Sequence, residues 1–149
     1  SNLTYYNNIY IYIIMNNKKN NSLFKDIYGE EKGILELKLK DFKYIDKKLY
    51  IDNDYFKNRK GFIIFYAPWC KHCKKISDLL IDLALSNINS FNFGAVNGEN
   101  IEDGNDHVCI YANIEYYPTI MVINDDYSLT KYKFEYNVDN LLYYININT

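Results

Sequence analysis

Cys70 and Cys73 are separated by two residues in Trp69-Cys70-Lys71-His72-Cys73, with Pro68 just before that segment. Two thiols at this spacing can close a small disulfide ring, and they do so most easily at the first turn of a helix. There the first sulfur faces unpaired backbone N–H groups and the positive end of the helix dipole. Both effects favour the thiolate, which is the nucleophile in disulfide exchange. Lys71 and His72 between the cysteines add positive charge, so the anionic, reduced form gains and the disulfide becomes a stronger oxidant. Cys73, one turn further in, is expected to be more buried, to hold its proton more tightly and to act as the resolving thiol.

Other chemistries of paired cysteines fit less well. A zinc site would have to recruit His107 and Cys109, an H-x-C spacing on a different helix. Covalent haem attachment needs His directly after the second cysteine, where Lys74 stands. No metal or external cofactor is therefore expected; a disulfide between Cys70 and Cys73 would itself carry the electrons. The third cysteine, Cys109, is expected on the apolar side of its helix with Ile110, buried and inert. His107 is assigned no role.

The elements that would position the pair can be traced from the hydrophobic pattern. Phe62 to Tyr66 is an unbroken apolar run, expected as a central strand buried on both faces. Ala67-Pro68 stops it. Ile76, Leu79, Leu80, Leu83 and Ala84 then recur at helical spacing, which predicts a helix from about Trp69 to Leu85. Ile34 to Leu39 predicts an early strand, and Phe91 to Val96 a second buried one. A helix is expected near Asp106 to Ala112, a strand over Thr119 to Ile123, and a turn at Asn124-Asp125-Asp126. Leu129 to Tyr136 alternates as an antiparallel edge strand would, and Val138 to Ile145 is an amphipathic closing helix. The stretch from Phe42 to Phe56 gives no clear assignment. The whole order predicts an α/β fold with a central mixed sheet flanked by helices.

Residues 1–33 differ from the rest and are expected to form an N-terminal extension to a domain over 34–149. They are rich in Asn and Tyr, and Ile9 to Ile14 has the propensity of an added strand. The sequons at Asn2 and Asn20 are read as chance in so Asn-rich a stretch. The apolar run Ile9 to Met15 is too short to span a bilayer. It also lacks the basic start and small-residue cleavage site of a signal peptide. The excess of Asn, Ile, Lys and Tyr resembles the codon bias of AT-rich genomes and carries no functional weight.

The 149 residues carry a net charge of -2 with lysines and acids interspersed, so charge gives no footprint for nucleic acid. Arg59 is the single arginine, and three cysteines are too few for a disulfide scaffold.

The segment Phe65-Tyr66-Ala67-Pro68-Trp69-Cys70-Lys71-His72-Cys73-Lys74 resembles the active-site segment of protein disulfide isomerase domains, FYAPWCGHCK, within the thioredoxin superfamily. Tyr117-Pro118-Thr119-Ile120 resembles that family's second signature, a cis-proline loop before a strand, and Pro118 follows Cys70 by 48 positions. The resemblance implies a thioredoxin fold over 34–149 and a thiol–disulfide oxidoreductase acting on cysteine-containing proteins. In it Cys70 forms a mixed disulfide and Cys73 resolves it. Pro118 sits against the disulfide, Tyr117 and Thr119 line the substrate strand, and Trp69 offers an apolar surface to clients. It also implies a redox partner, a secretory-pathway lumen with the cytosol still open, and a potential nearer about −180 mV than thioredoxin's about −270 mV. The alternative is a client-binding or adapter subunit of a larger protein-export or folding complex.

Three departures stand out. The family's buried acid falls at Ile64, and its lysine partner aligns with Ala95, so both charges are missing together. Asp78 replaces the proline of the active-site helix, and Lys71 replaces a glycine.

Overall fold

The computed structural model describes residues 26–149; the expected strand at Ile9 to Ile14 and the two sequons lie outside them. The strands are β1 (Ile34–Glu36), β2 (Phe42–Ile45), β3 (Lys48–Ile51), β4 (Gly61–Tyr66), β5 (Asn92–Asn97), β6 (Thr119–Ile123) and β7 (Leu129–Lys131). The helices are α1 (Lys71–Ser86), α2 (Asn105–Tyr111) and α3 (Val138–Ile147), with short 3-10 turns at Glu30–Lys32, Leu39–Asp41 and Asp54–Phe56.

Five strands form one sheet in the order β1-β5-β4-β6-β7. β4 is central, parallel to β5 and antiparallel to β6, so the sheet is mixed. Every residue of β4, β5 and β6 is buried, which is why these stretches carry continuous apolar runs rather than alternation. Phe62, Ile64 and Tyr66 face a cluster that includes Cys73, Leu80 and Leu83 of α1 and Leu141 and Ile145 of α3. Ile63 and Phe65 face the opposite cluster, with Val108 of α2 and with Phe42, Leu49 and Ile51. Those last three belong to the β2–β3 hairpin, a separate two-stranded sheet over the segment that the hydrophobic pattern leaves unassigned.

Gly94 shows how tightly that second face is filled. A Cβ there would lie 2.6 Å from Leu37 Cδ1 and 2.8 Å from Phe56 Cζ. No room remains for a side chain at this point of β5.

Two boundaries differ from expectation. Tyr28, ahead of the expected boundary at Ile34, is already in the core at 4% exposure. The edge strand expected to run to Tyr136 ends at Lys131, because Tyr132 and Tyr136 turn in against the first cluster instead of continuing a pleat. α1 is unbroken from Lys71 to Ser86, with Asp78 exposed at the position where the family has proline.

Candidate active site

β4 delivers the chain to the site and the Ala67-Pro68 step ends it. Cys70 then takes an extended backbone (φ −77°, ψ 117°) as the N-cap of α1. An N-cap side chain normally accepts a backbone N–H of the first turn. Here the Cys70 sulfur does so, receiving the N–H of Cys73 at 3.3 Å. Its other neighbour is the carbonyl of Tyr117, 3.7 Å from Cys70 Sγ. The Tyr117–Pro118 peptide is cis. The two motifs, far apart in the chain, thus meet at one sulfur.

The two cysteines are free thiols in unequal surroundings. Cys70 keeps 7% exposure and Cys73 none. Burial first, and then the hydrogen bond to Cys70, pushes the Cys73 thiol up to about 12. Cys70 is more covered than a helix-start residue would suggest, since the Tyr117 loop lies against it. Lys71 and His72 are exposed, so whatever charge they lend the pair acts through solvent and is screened.

Trp69 is 54% exposed, its Nε1–H donating to Glu99 Oε1 at 3.1 Å and its ring edge-on to Tyr117 with centroids 6.3 Å apart. Thr119, expected on the substrate surface, is buried instead, and its hydroxyl donates to Tyr116 O at 2.7 Å. It fastens the loop from within. Tyr116, which the motif analysis passed over, is the exposed aromatic of this loop. Its signal was its place directly before Tyr117-Pro118.

The expectation for Cys109 needs correcting. Ile110 is exposed, and Cys109 is only partly buried, with its sulfur 3.6 Å from the Tyr117 hydroxyl. The buried residues of α2 are Asn105 and Val108. Cys109 and His107 do not gather with the other two cysteines: among the described residues no group of His, Cys, Asp and Glu could hold a metal ion.

The missing charge pair sits as its alignment implies. Ile64 of β4 is paired directly with Ala95 of β5, and both are fully buried.

A mixed sheet of this strand order, with paired cysteines opening the helix after its central strand and a cis-proline loop facing them, defines a thioredoxin fold. The thioredoxin family model matches residues 47–146, and the chain belongs to that family. It is 33% identical over 87 residues to protein disulfide-isomerase 5-1 of Arabidopsis thaliana, covering 57% of each chain. It is 30% identical over 92 residues to protein disulfide isomerase-like 5-1 of Oryza sativa subsp. japonica, covering 60% of each. The chain therefore spans less than two thirds of the length of these curated relatives. Among solved structures, the J-Trx1 fragment of ERdj5 aligns with a TM-score of 0.61 at 20% identity, over 81% of this chain and 54% of that one. The first thioredoxin domain of mouse protein disulfide-isomerase A4 aligns at 0.59 with 15% identity, over 83% and 85%. These last two likenesses show the fold. Family and cysteine spacing together place the chain, at a general level, with thiol–disulfide oxidoreductases. Among the described residues no helix is long and apolar enough to cross a membrane.

Proposed function

We propose that the chain exchanges disulfides with cysteine-containing proteins through Cys70 and Cys73. The observation that carries this is the Cys70 sulfur: it caps α1, accepts the Cys73 N–H and lies beside the Tyr117 carbonyl of the cis-proline loop. Cys70 attacks a substrate disulfide, forming a mixed disulfide and expelling one substrate thiolate. Cys73 loses its proton, attacks Cys70 and releases the second substrate thiolate. Two electrons pass to the substrate and a Cys70–Cys73 disulfide remains; the reverse sequence oxidises a dithiol. A redox partner resets the pair, and the two sulfurs are the only redox group the cycle needs. The extended client lies against Tyr117 and Pro118, with Trp69 and Tyr116 as its apolar contacts. Lys71 and His72 flank the nucleophile and favour the reduced form. The setting that suits a disulfide isomerase-like domain is a secretory lumen, and relatives named as disulfide isomerases support that assignment.

The test is insulin reduction and oxidative refolding of a scrambled disulfide protein. Cys70→Ser should abolish both, a loss of three or more orders of magnitude on the order seen when a covalent nucleophile is removed. Client binding that survives Cys70→Ser with Cys73→Ser, in a wild-type protein without turnover, would replace this reading with that of an adapter.

A further inference from the structure

Several chain turns meet at one end of the sheet. Phe65 of β4 pairs with Thr119 at the start of β6, and Tyr66 pairs with Asn97 at the end of β5. β7 runs antiparallel to β6, and its last residue, Lys131, stands opposite Met121. The turn from Lys131 into α3, with Tyr132 and Tyr136, therefore lies at the same end as Cys70 and the Tyr117–Pro118 loop.

Ile120 is where that turn meets the loop. It is fully buried, two residues after Pro118, and paired with Ile64 on its β4 side. On its β7 side the register places it opposite Tyr132, whose N–H donates to Ile120 O at 2.9 Å. A hydrogen-bonded pair in an antiparallel ladder exchanges two backbone bonds. Here the return bond goes elsewhere: the Ile120 N–H donates to the Tyr136 hydroxyl at 2.9 Å. β7 has already ended at Lys131, and the chain beyond it turns inward. A side chain from further along the turn thus takes the place of the strand.

This oxygen bears on the site through the backbone. Without it the Ile120 N–H would be a buried donor lacking an acceptor, a cost that a shift of the loop would relieve. One residue back, the Thr119 hydroxyl donates to Tyr116 O at 2.7 Å. Just before Pro118, the Tyr117 carbonyl lies 3.7 Å from Cys70 Sγ. Thr119 ties the loop to itself, whereas Tyr136 ties it to the fold on the β7 side. The Tyr136 ring is itself anchored against the cluster under α1 and α3, with its centroid 6.0 Å from that of Tyr132. Burial pushes its phenol above the ordinary value, with the Ile120 N–H opposing and the Tyr116 charge adding. The hydroxyl is therefore neutral near physiological pH and the bond does not titrate there.

We propose that Tyr136 is a positioning residue for exchange with protein clients: its hydroxyl replaces β7 at Ile120 and holds the Tyr117–Pro118 backbone where an extended client pairs with it. This rests on the oxidoreductase reading above. Tyr136 touches no reacting sulfur. Its effect falls on polypeptide clients, which use the loop backbone as a strand partner. A small disulfide has no backbone to pair and needs only the Cys70 sulfur.

Insulin and 5,5′-dithiobis(2-nitrobenzoate), reacted with the full chain, separate these two demands. Insulin reduction reports a polypeptide client, and the first release of thionitrobenzoate reports the Cys70 sulfur alone; a Cys70→Ser, Cys73→Ser protein subtracts release from Cys109. Tyr136→Phe keeps the ring and removes the acceptor. The ratio of the insulin rate to the thionitrobenzoate rate should fall about tenfold, the scale of one hydrogen bond. A general loss of stability would slow both and leave the ratio as it was. Amide hydrogen exchange of the wild type carries the test if the variant fails to fold. The Ile120 amide should exchange as slowly as that of Met121, which is paired with Ile63 of β4. An unchanged ratio, or an Ile120 amide that exchanges freely in the wild type, overturns the role of Tyr136 alone. Insulin reduction and thionitrobenzoate release that persist in full in Cys70→Ser overturn the oxidoreductase reading and this proposal together.

Discussion

The two faces of the central sheet are built from alternate residues of the same strands, yet they differ in kind. The buried members of the cluster under α2 and the β2–β3 hairpin, Ile63, Phe65 and Val96 among them, cannot titrate. The buried cluster under α1 and α3 contains Tyr28, Tyr66, Cys70, Cys73 and Tyr132. One face is therefore free to be pure packing, and the other carries ionisable groups whose desolvation must be offset by hydrogen bonds. Tyr66, with partners on three sides, is offset in this way; the Tyr28 and Tyr132 hydroxyls are not. Stability and thiol chemistry can thus be altered separately from one strand, by choosing the parity of the residue changed.

The largest effects should come from breaking that division. Ile64→Glu places a carboxyl at a fully buried position opposite Ala95 and Ile120, and should cost about 3–5 kcal/mol, as an unpaired buried charge does. Adding Ala95→Lys should recover part of the loss, because the ammonium would meet both the new carboxylate and Glu36 in register. Ile63→Ala, one residue away on the other face, should cost about 2–5 kcal/mol through its cavity. It should leave the insulin-reduction rate of the folded protein unchanged. Melting curves and rates taken well below each melting temperature check this. Equal slowing by Ile63→Ala and Ile64→Glu would mean that the faces are not separable.

The same division explains what the sequence makes legible. β4, β5 and β6 are long apolar runs because both faces are covered, and the cysteine and proline motifs carry their own context. The pairing of Ile64 with Ala95 follows from the alignment. The β2–β3 hairpin is hidden because its turn places Asp46 and Lys47 at φ 50° and 64° with no glycine or asparagine to mark it. α2 has seven residues, too few for a period to show which side of Cys109 faces inward. Glu36 was readable in principle: it shares parity with Ile34, but a single acid among leucines looks like an exposed edge until the strand is known to be covered.

A smaller effect should follow from the loop that joins the faces. Tyr117 packs against both clusters. Its carbonyl meets Cys70, its ring meets Trp69 and its hydroxyl meets Cys109. The absence of a side chain at Gly98 makes room for that hydroxyl, since a Cβ there would overlap it and lie 3.2 Å from Cys109 Sγ. Gly98→Ala should therefore shift the Tyr117 ring, at about 1–3 kcal/mol for overpacking, and lower the exchange rate while the spacing of Cys70 and Cys73 is unchanged. An alanine variant with full exchange activity would show that the position of the ring does not matter to the site.

The smallest effect per unit of pH, and the one that belongs only to the chemical face, is a slope in stability. The Glu36 carboxyl lies at about 8 in the folded protein against an ordinary value of 4.5. Its protonated form is therefore favoured by folding. Below the ordinary value both states hold the proton and the contribution is complete. As pH rises from about 4.5 the unfolded chain releases the proton while the folded chain keeps it, so stability falls, until the folded protein also ionises near 8. The slope for one such proton is at most about 1.4 kcal/mol per pH unit, and exposure of part of the carboxyl reduces it. Between those two values, denaturant unfolding of the wild type should show stability decreasing with pH. In Glu36→Gln that decrease should flatten, because the amide has no proton to lose. In Ile63→Ala the slope should persist at lower absolute stability, since the change leaves Glu36 and its partners on the other face in place. A Glu36→Gln protein with the full wild-type slope would assign the proton to another group. It would also remove the thermodynamic ground for treating the face under α1 as the one that holds protons near the working pH.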